Sequence, residues 1–142
     1  MNFIIREAKE DDLSAIYDLA RQFSLLNLPP DKRVIANKIE HSRASFAGEL
    51  PRHKAAYLFV TEDCSTGNIA GSSQVKAQHG SPENPTYSFK ILKKERFSRD
   101  LGIGFIHQIL RLNICTEGPT EIGGLVVDRA YRRRPEKVGR MT

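Results

Sequence analysis

The sequence predicts an α+β protein, with a short strand, two helices and then a run of strands joined by turns. Apolar residues recur at helical spacing in the first 46 residues. Later segments rich in β-branched and aromatic residues alternate with turns that contain glycine, proline or aspartate. The 142 residues are 39% hydrophobic and 27% charged, which is typical of a soluble globular protein, and we expect a single domain over residues 1–142.

The N-terminal part predicts one strand and two helices. Residues 3–8 suit a short strand, and the acids of residues 9–12 suit the first turn of a helix, at the positive end of its dipole. Pro29 interrupts helical structure, and a second helix is predicted to begin at Pro30 or Asp31 and to end at Gly48. The apolar stripes are Leu13, Ile16, Tyr17, Leu19, Ala20 and Phe23 in the first helix, and Val34, Ile35, Ile39 and Phe46 in the second.

The remaining chain predicts strands separated by turns. Residues 106–115 fit two patterns, because Leu110, Leu112 and Ile114 alternate with polar residues whereas residues 107–110 could also be helical. We favour a strand, since a turn follows. The predicted strands are 57–60, 69–75, 86–92, 106–115 and 121–127, and the predicted turns or loops are 63–68, 80–85 and 116–119.

Several classes of function are disfavoured. No apolar stretch approaches the ~20 residues that span a bilayer, and the N-terminus lacks the features of a signal peptide, so we expect a cytoplasmic protein that is not bound to a membrane. Cys64 and Cys115 have no CxxC spacing and are interpreted as reduced thiols rather than a disulfide or a zinc site, and we expect no metal. The four histidines are interpreted as surface or core residues, and Ser42 and Ser45 as helix surface.

The positive charge of the chain is concentrated near its C-terminal end. The net charge is +5, and residues 129–142 carry all of it, because they contain six lysine or arginine residues and one glutamate. A smaller basic run at residues 90–99 is expected to be a solvated strand edge and loop. Such clusters are either solvated faces or contacts for a phosphate-bearing partner, namely nucleic acid, an anionic membrane or a nucleotide cofactor.

Residues 121–140 form the most informative element, because a strand leads directly into a basic loop. The strand ends at Asp128, and the pattern Asp-x-x-Tyr-Arg links it to the loop. Backbone N–H groups at a loop that enters a helix are unpaired, and the helix dipole adds positive potential. Arginine supplies forked donors for phosphate oxygens, and Gly139 lets a ligand approach the backbone. The element therefore predicts a loop that binds pyrophosphate.

This element resembles the GNAT superfamily of acyl-CoA transferases. In that superfamily the fourth strand runs into a Pro/Asp-x-Tyr-Arg link and a loop of the form Arg/Gln-x-x-Gly-x-Gly/Ala. Residues 4–20 also resemble the first strand and helix of the superfamily, and the two matches fall at the right separation. The resemblance implies a GNAT-like mixed, mostly antiparallel sheet with two N-terminal helices, truncated after the fourth core strand.

A narrower resemblance covers nearly the whole chain, which is similar to the N-terminal half of bacterial arginine N-succinyltransferases, GNAT-type enzymes of arginine catabolism. Its most specific stretch is Ser-x-Ala-Ser-Phe-Ala-Gly at residues 42–48. The resemblance implies succinyl-CoA as co-substrate, no covalently bound cofactor, and the α-amino group of arginine or a similar amine as acceptor. The other matching stretches are 28–29, 39–41, 57–63, 87–90, 98–102 and 121–128.

Two features depart from the family pattern. With Arg134 aligned on the Arg/Gln of the loop and Gly139 on its last glycine, Lys137 stands at the middle glycine; alternatively, the loop is longer than usual. The chain also ends at Thr142. The resemblance implies that the helix after Gly139 and the segments that carry the proton-transfer residues follow later, so we expect the 142-residue chain to hold an incomplete cofactor site.

The resemblance also implies roles for residues of the last strand and the loop. Amides of the pantetheine arm would form hydrogen bonds with backbone groups near Val126. A backbone N–H in the same stretch would stabilise the oxyanion. Glu121 is the candidate base, directly or through water, and no residue is assigned as the acid. The residues predicted to contact acyl-CoA are Leu125, Val126, Val127, Arg132, Arg133, Arg134, Lys137, Gly139 and Arg140.

Two other classes of function remain as alternatives. A catalytically inactive GNAT-like remnant would act as a binding or dimerisation module, because an incomplete sheet leaves an edge that favours a homodimer. Nucleic-acid binding through the basic tail is the other alternative. Only Tyr131 lies near that tail as an aromatic, so stacking on bases would be poor and we do not expect nucleic acid as a partner.

Overall fold

The structure is a computed structural model that describes residues 2–133, 135–140 and 142, and it confirms the predicted α+β class. Contacts divide the chain into two compact units: the sheet unit, Met1–Gln78 with Pro119–Thr142, and the hairpin unit, His79–Gly118. The single domain expected over residues 1–142 stays a prediction. The helices are α1, Leu13–Arg21, and α2, Lys32–Phe46; the strands are β1, Phe3–Glu7, β2, Ala56–Asp63, β3, Asn68–Lys76, β4, Thr86–Ser98, β5, Ile103–Cys115, and β6, Glu121–Val127.

The sheet unit contains a four-stranded sheet in the order β1-β2-β3-β6, and each neighbouring pair is antiparallel. The β2–β3 pair is the hairpin that the sequence predicts around residues 63–68. A bulge interrupts the pairing of β3 with β6, because Gln74 pairs with Gly123 whereas Ser72 pairs with Val126. The bulge keeps Gly123 and Val126 on the same face of the sheet.

Both helices cover one face of this sheet. Ile16 of α1 and Ile35 of α2 are fully buried against Val60 of β2. The segment after β6 lies on the opposite face, where Tyr131 and Val138 form a second buried cluster with Ala70, packed against Phe3 and Val127. Side chains of successive strand residues point to opposite faces, so Val126 packs beneath the helices and Val127 packs against the cluster on the opposite face. Asp31 begins α2 as predicted, because its carboxylate accepts hydrogen bonds from the N–H groups of Arg33 and Val34.

The expectation that Ser42 and Ser45 are helix surface is wrong, since both are buried. Ser42 Oγ accepts a hydrogen bond from the N–H of Leu58 at 2.8 Å. Ser45 Oγ accepts one from the N–H of Ala56 at 3.0 Å. The reason is that β1 pairs with β2 only as far as Phe59, so the earlier N–H groups of β2 need other acceptors. Two hydroxyls from α2 supply them.

The hairpin unit consists of two strands of 13 residues each, longer than the predicted 86–92 and 106–115. The strand favoured for residues 106–115 is therefore confirmed. The turn between β4 and β5 ends at Gly102, whose φ of +61° suits glycine. Paired residues share a face, and one face carries exposed apolar side chains: Tyr87, Phe89 and Ile91 of β4, and Leu110, Leu112 and Ile114 of β5.

Among the residues that the structure describes, no helix combines the length and the apolar character needed to cross a membrane. Cys64 and Cys115 are free thiols, as predicted.

Candidate functional site

The Asp-x-x-Tyr-Arg link after β6 is fastened to α1 by Gln22, the residue that follows the helix. The Gln22 amide donates to Asp128 Oδ2 at 2.6 Å, and its Oε1 accepts from the N–H of Arg129 at 3.1 Å. Asp128 Oδ1 in turn accepts from the N–H of Ala130 at 2.7 Å and caps the short 3₁₀ turn Arg129–Tyr131. The aspartate of the motif therefore has a structural role, because both of its carboxylate oxygens hold the backbone where β6 ends.

Tyr131 fastens the same link to the sheet. Its side chain is buried, its ring meets Phe3 edge-on with 5.9 Å between centroids, and its hydroxyl donates to Asp63 Oδ2 at 3.1 Å. The N–H of Ser65 donates to Asp63 Oδ1 at 2.9 Å. This backbone hydrogen bond, together with the one from Tyr131, holds the pKa of Asp63 below its ordinary value although burial acts in the opposite direction. The tyrosine of the motif is thus a structural anchor.

Arg132 closes the link over its own strand. Its Nε donates to the carbonyl oxygen of Val127 at 2.8 Å, and its guanidinium carbon lies 4.5 Å from the centroid of the Phe23 ring. These two contacts orient the guanidinium at the end of β6. Since Nε and one face of the group are engaged, the other N–H groups are those that could contact an anion.

The basic loop after the link lines an open pocket of about 290 Å³. Three basic residues, Arg133, Lys137 and Arg140, are exposed and line this pocket with Arg132, so its electrostatic potential is positive. Arg134, which the sequence also predicts to contact acyl-CoA, lies outside the described residues. The remaining lining residues are Val127, Tyr131, Val138 and Gly139.

Two residues of this loop have left-handed backbone conformations. Arg133 has φ +58° and Lys137 has φ +52°. In the alignment that places Lys137 at the middle glycine of the motif, the departure falls at a position whose backbone conformation still favours glycine. A left-handed conformation costs a residue with a Cβ atom roughly 1–2 kcal/mol. Alternation of right- and left-handed residues can turn successive N–H groups to one side, which forms a concave site for an anion.

The three β6 residues predicted to contact the donor have different environments. Val126 is buried beneath the helices, Val127 is half-buried on the opposite face, and Leu125 is exposed. β6 is an edge strand of its sheet, so alternate backbone groups point away from β3 and remain available to an extended ligand. Gly124, with φ +60°, begins the bulge beside them.

Glu121 lies at the opposite end of β6 from the basic loop. Five residue steps at ~3.3 Å each place it roughly 16 Å along the strand from Val126, which is beyond hydrogen-bond reach of an amine at Val126. Glu121 can therefore act as a base only if the reacting amine lies nearer to the bulge at Gly124 than to Val126. The carboxylate lines a second cavity of about 390 Å³, which we call the lysine cleft; its lining is Asn27, Lys38, His41, Lys54, Ala56, Gln74, Lys76, Glu121 and Gly123.

The sequence reasoning missed the lysine cleft. Lys38 lies three residues after Ile35 and one before Ile39, so it borders the inward face of α2, and a lysine at that position was an available signal. Lys76 and Gln74 face the cleft because they pair with Glu121 and Gly123 across β3 and β6. That pairing depends on the register around the bulge, which no local pattern reveals.

The chain matches the family profile described as arginine N-succinyltransferase beta subunit over residues 3–141. It is 29% identical over 132 residues to arginine N-succinyltransferase of Citrobacter koseri and 30% identical over 132 residues to that of Photorhabdus laumondii. Each alignment covers 92% of this chain and 38% of the relative, so the chain spans under two fifths of the length of these relatives.

A solved structure is also similar: arginine/ornithine succinyltransferase subunit AI from Pseudomonas aeruginosa. The TM-score is 0.69 at 30% sequence identity, and the match covers 92% of this chain and 40% of that one.

Proposed function

We infer the function from one premise: this chain belongs to the arginine N-succinyltransferase beta subunit family, whose profile matches residues 3–141. We propose that it forms the acyl-CoA-binding part of an N-acyltransferase. In this proposal the donor is succinyl-CoA and the acceptor is the α-amino group of arginine, as the name of the family suggests, and the enzyme acts in arginine catabolism. The observation that carries the proposal is the positive pocket lined by the loop after β6.

The pyrophosphate of CoA would occupy this pocket. Arg133, Lys137 and Arg140 supply the positive charge that a pyrophosphate requires. Val127 joins the pocket to β6, so the pantetheine arm would continue along the open edge of that strand beside Leu125. The thioester would then lie near the bulge at Gly124.

The reaction itself is a direct acyl transfer. The free amine attacks the thioester carbonyl, a C–N bond forms, the C–S bond breaks, and the amine proton passes to a base while the thiolate takes up a proton. Glu121 is the proposed base for a reacting centre near the bulge, directly or through water. A backbone N–H of the bulge that precedes Val126 is the proposed oxyanion donor, because a donor at Val126 itself would lie too far from Glu121 to serve the same reacting centre.

The binding half of the proposal is tested by calorimetric titration of the full-length protein with CoA. We expect the Arg133→Gln/Arg140→Gln variant to weaken binding about 10²–10⁴-fold, because each of the two lost hydrogen bonds to a charged phosphate contributes roughly 1.5–3 kcal/mol. The matched control is Lys94→Gln/Arg96→Gln in the hairpin unit, which removes the same charge and should leave the affinity unchanged. A folded full-length protein that shows no heat of binding with CoA would refute the proposal.

The transfer half is tested by thiol release from succinyl-CoA in the presence of an amine. Arginine and ornithine are both tested, because the similar Pseudomonas aeruginosa structure is named for both. We expect release that depends on the amine and falls at least tenfold in Glu121→Gln. Release that is equal with and without an acceptor would mean hydrolysis and would contradict the assignment of an amine acceptor.

A second candidate function is that of a binding or dimerisation module, and the exposed apolar face of the hairpin unit favours it. Phe89 and Ile91 of β4 are 64% and 66% exposed, and Leu112 opposite Phe89 is 55% exposed. Contiguous apolar surface of this kind usually marks an interaction site. Light scattering over a range of concentrations decides this point. If the protein forms a homodimer through this face, Phe89→Lys should lower the average mass in solution towards that of the monomer. A wild-type protein that is monomeric at every concentration excludes self-association through this face.

A further inference from the structure

The lysine cleft lies at the polar end of an otherwise apolar interface between helices and sheet. Along the covered face of the sheet, Val60 and Leu58 of β2 are buried beneath α1 and α2. One row further, Ala56 of β2 pairs with Lys76 of β3, and Lys76 pairs with Glu121 of β6. The apolar core therefore stops at the row where large apolar side chains give way to small or charged ones, and the cavity begins there.

The cleft remains open because small residues form part of its floor. Ala56 has only a methyl group, and Gly123 has no side chain. A Cβ atom built on Gly123 would lie 3.4 Å from the Asn27 amide nitrogen and 4.0 Å from Glu121 Oε1, which is ordinary van der Waals contact, so only a side chain longer than that of alanine would extend further into the space. A volume of about 390 Å³ accommodates a small organic substrate.

The charge of the cleft suits an anion. Three lysines line it, at positions 38, 54 and 76, against one carboxylate, that of Glu121. Lys38 is half-buried, and its Nζ donates to the neutral amide oxygen of Gln74 at 3.2 Å. Burial lowers the pKa of the Lys38 amine, so a negative partner at this point would be stabilised by an ammonium that has given up part of its hydration.

His41 helps to hold this arrangement in place. Its Nε2 donates to the carbonyl oxygen of Lys54 at 2.7 Å, which joins α2 to the residues that precede β2. The neighbouring residue Ser42 already fastens α2 to Leu58 of β2. Lys38 therefore projects from a helix whose position over the sheet is fixed by two side-chain hydrogen bonds, and the cation is held in place before any ligand binds.

We propose that the lysine cleft binds a substrate carboxylate, with Lys38 as the specificity-determining cation. This inference rests on the proposed function and deepens it. Two carboxylates have the right chemistry: the free carboxylate of a dicarboxylic acyl group on the donor, or the α-carboxylate of an amino acid acceptor. Gly123 lines the cleft and is followed directly by Gly124 at the bulge, so a substrate could place its carboxylate in the cleft and its reacting atom near the bulge.

The test compares ligands that differ only in the carboxylate, measured by calorimetry on the full-length protein. If the carboxylate belongs to the acyl group of the donor, succinyl-CoA should bind about tenfold more tightly than propionyl-CoA, which lacks only the carboxylate. If it belongs to the acceptor, arginine should bind, in the presence of CoA, about tenfold more tightly than agmatine, which lacks the carboxylate. In either case Lys38→Gln should abolish the preference, and Lys38→Arg, which keeps the charge, should retain at least part of it.

Lys32→Gln, at the first turn of the same helix and outside the cleft, is the matched control and should change neither preference. Circular dichroism of each variant shows whether the fold is kept; if Lys38→Gln unfolds, Lys76→Gln is used in its place. The proposal is overturned if CoA binds but neither ligand pair shows a preference, or if the preference survives loss of the lysine. Failure of CoA itself to bind would refute the proposed function instead.

Discussion

The sheet unit and the hairpin unit draw on similar apolar residues but bury them very differently. In the sheet unit Ile35 and Val60 are 0% exposed, because two helices cover the sheet. In the hairpin unit Phe89 and Leu110 are each 64% exposed, although both belong to rows of apolar residues that alternate with polar ones along their strands. Alternation decides which face of a strand is apolar, whereas burial requires a second layer of structure. The comparison predicts that substitutions of one chemical type will have different effects in the two units.

The largest difference is expected for leucine to alanine substitutions. Leu58→Ala removes a side chain that is 3% exposed, and it should lower the free energy of unfolding by about 2–5 kcal/mol because a cavity remains in the core. Leu110→Ala removes a side chain that is 64% exposed and should change it by less than about 0.5 kcal/mol. Urea denaturation of both variants measures these values. An equal loss in the two would show that the hairpin face is covered in solution.

A smaller difference is expected for serine to alanine substitutions. Ser42→Ala would leave the buried N–H of Leu58 without its acceptor at 2.8 Å, and it should lower the free energy of unfolding by about 1–3 kcal/mol. Ser88→Ala in β4 removes an exposed hydroxyl that accepts from the Asn113 amide at 3.3 Å, and it should cost less than about 0.5 kcal/mol. Chemical denaturation again provides the measurement, and a near-zero effect at Ser42 would refute the role assigned to that hydroxyl.

Acid should destabilise the sheet unit through two carboxylates. Burial alone raises the pKa of Asp12, but hydrogen bonds from Arg6 and from the N–H of Lys9 outweigh it, so the pKa of Asp12 is lowered. The pKa of Asp63 is lowered as well, chiefly by the hydrogen bond from the N–H of Ser65. As the pH falls, both carboxylates become protonated at a higher pH in the unfolded chain than in the folded protein. The stabilisation is therefore present above about pH 4 and is lost as the pH falls towards the lowered pKa values.

The measurement for this prediction is the urea midpoint between pH 7 and pH 3. Wild type should lose stability over the acid part of this range more steeply than Asp12→Asn or Asp63→Asn, since each variant lacks one of the two titrating groups. Parallel curves for all three proteins would contradict the assignment.

The smallest effects are expected at two left-handed positions, one in each unit. Gly102 in the turn of the hairpin has φ +61° and open space around its Cα, so Gly102→Ala should cost on the order of 1 kcal/mol from backbone strain alone. Lys137 in the basic loop has φ +52°, and Lys137→Gly should be neutral to slightly stabilising, because relief of strain offsets the greater freedom of the unfolded chain. Glu136→Gly, with no left-handed backbone to relieve, is the control and should be destabilising; thermal melts rank the three variants.

Much of the fold could be predicted because its signals are local. The stripe of Leu13, Ile16 and Leu19 predicts α1, and the β-branched residues before Asp128 predict β6 at its observed bounds. The same local pattern predicts the basic loop directly after that strand. The family resemblance is confirmed by the match of the family profile to residues 3–141. The contacts of the loop residues with acyl-CoA stay predictions.

Other parts of the candidate site could not be predicted, because they depend on residues far apart in the chain. Tyr131 reaches Asp63 on another strand, and Lys38 meets Gln74 across the edge of the core. Ser42 was misread as surface, because a polar residue on a helix is usually solvated and only the shortness of β1 makes its hydroxyl necessary.

The sequence by itself determined the order of the strands and helices, the position of the basic loop and the family, because each is written in residues that are neighbours along the chain. The tertiary structure alone decided that Lys38, Lys76 and Glu121 line one cleft, and that Lys137 takes a left-handed conformation. The physical reason for the cleft is the pairing of β3 with β6. A bulge at Gly124 shifts that pairing and thereby selects which side chains face the helices and which backbone groups remain open to a ligand.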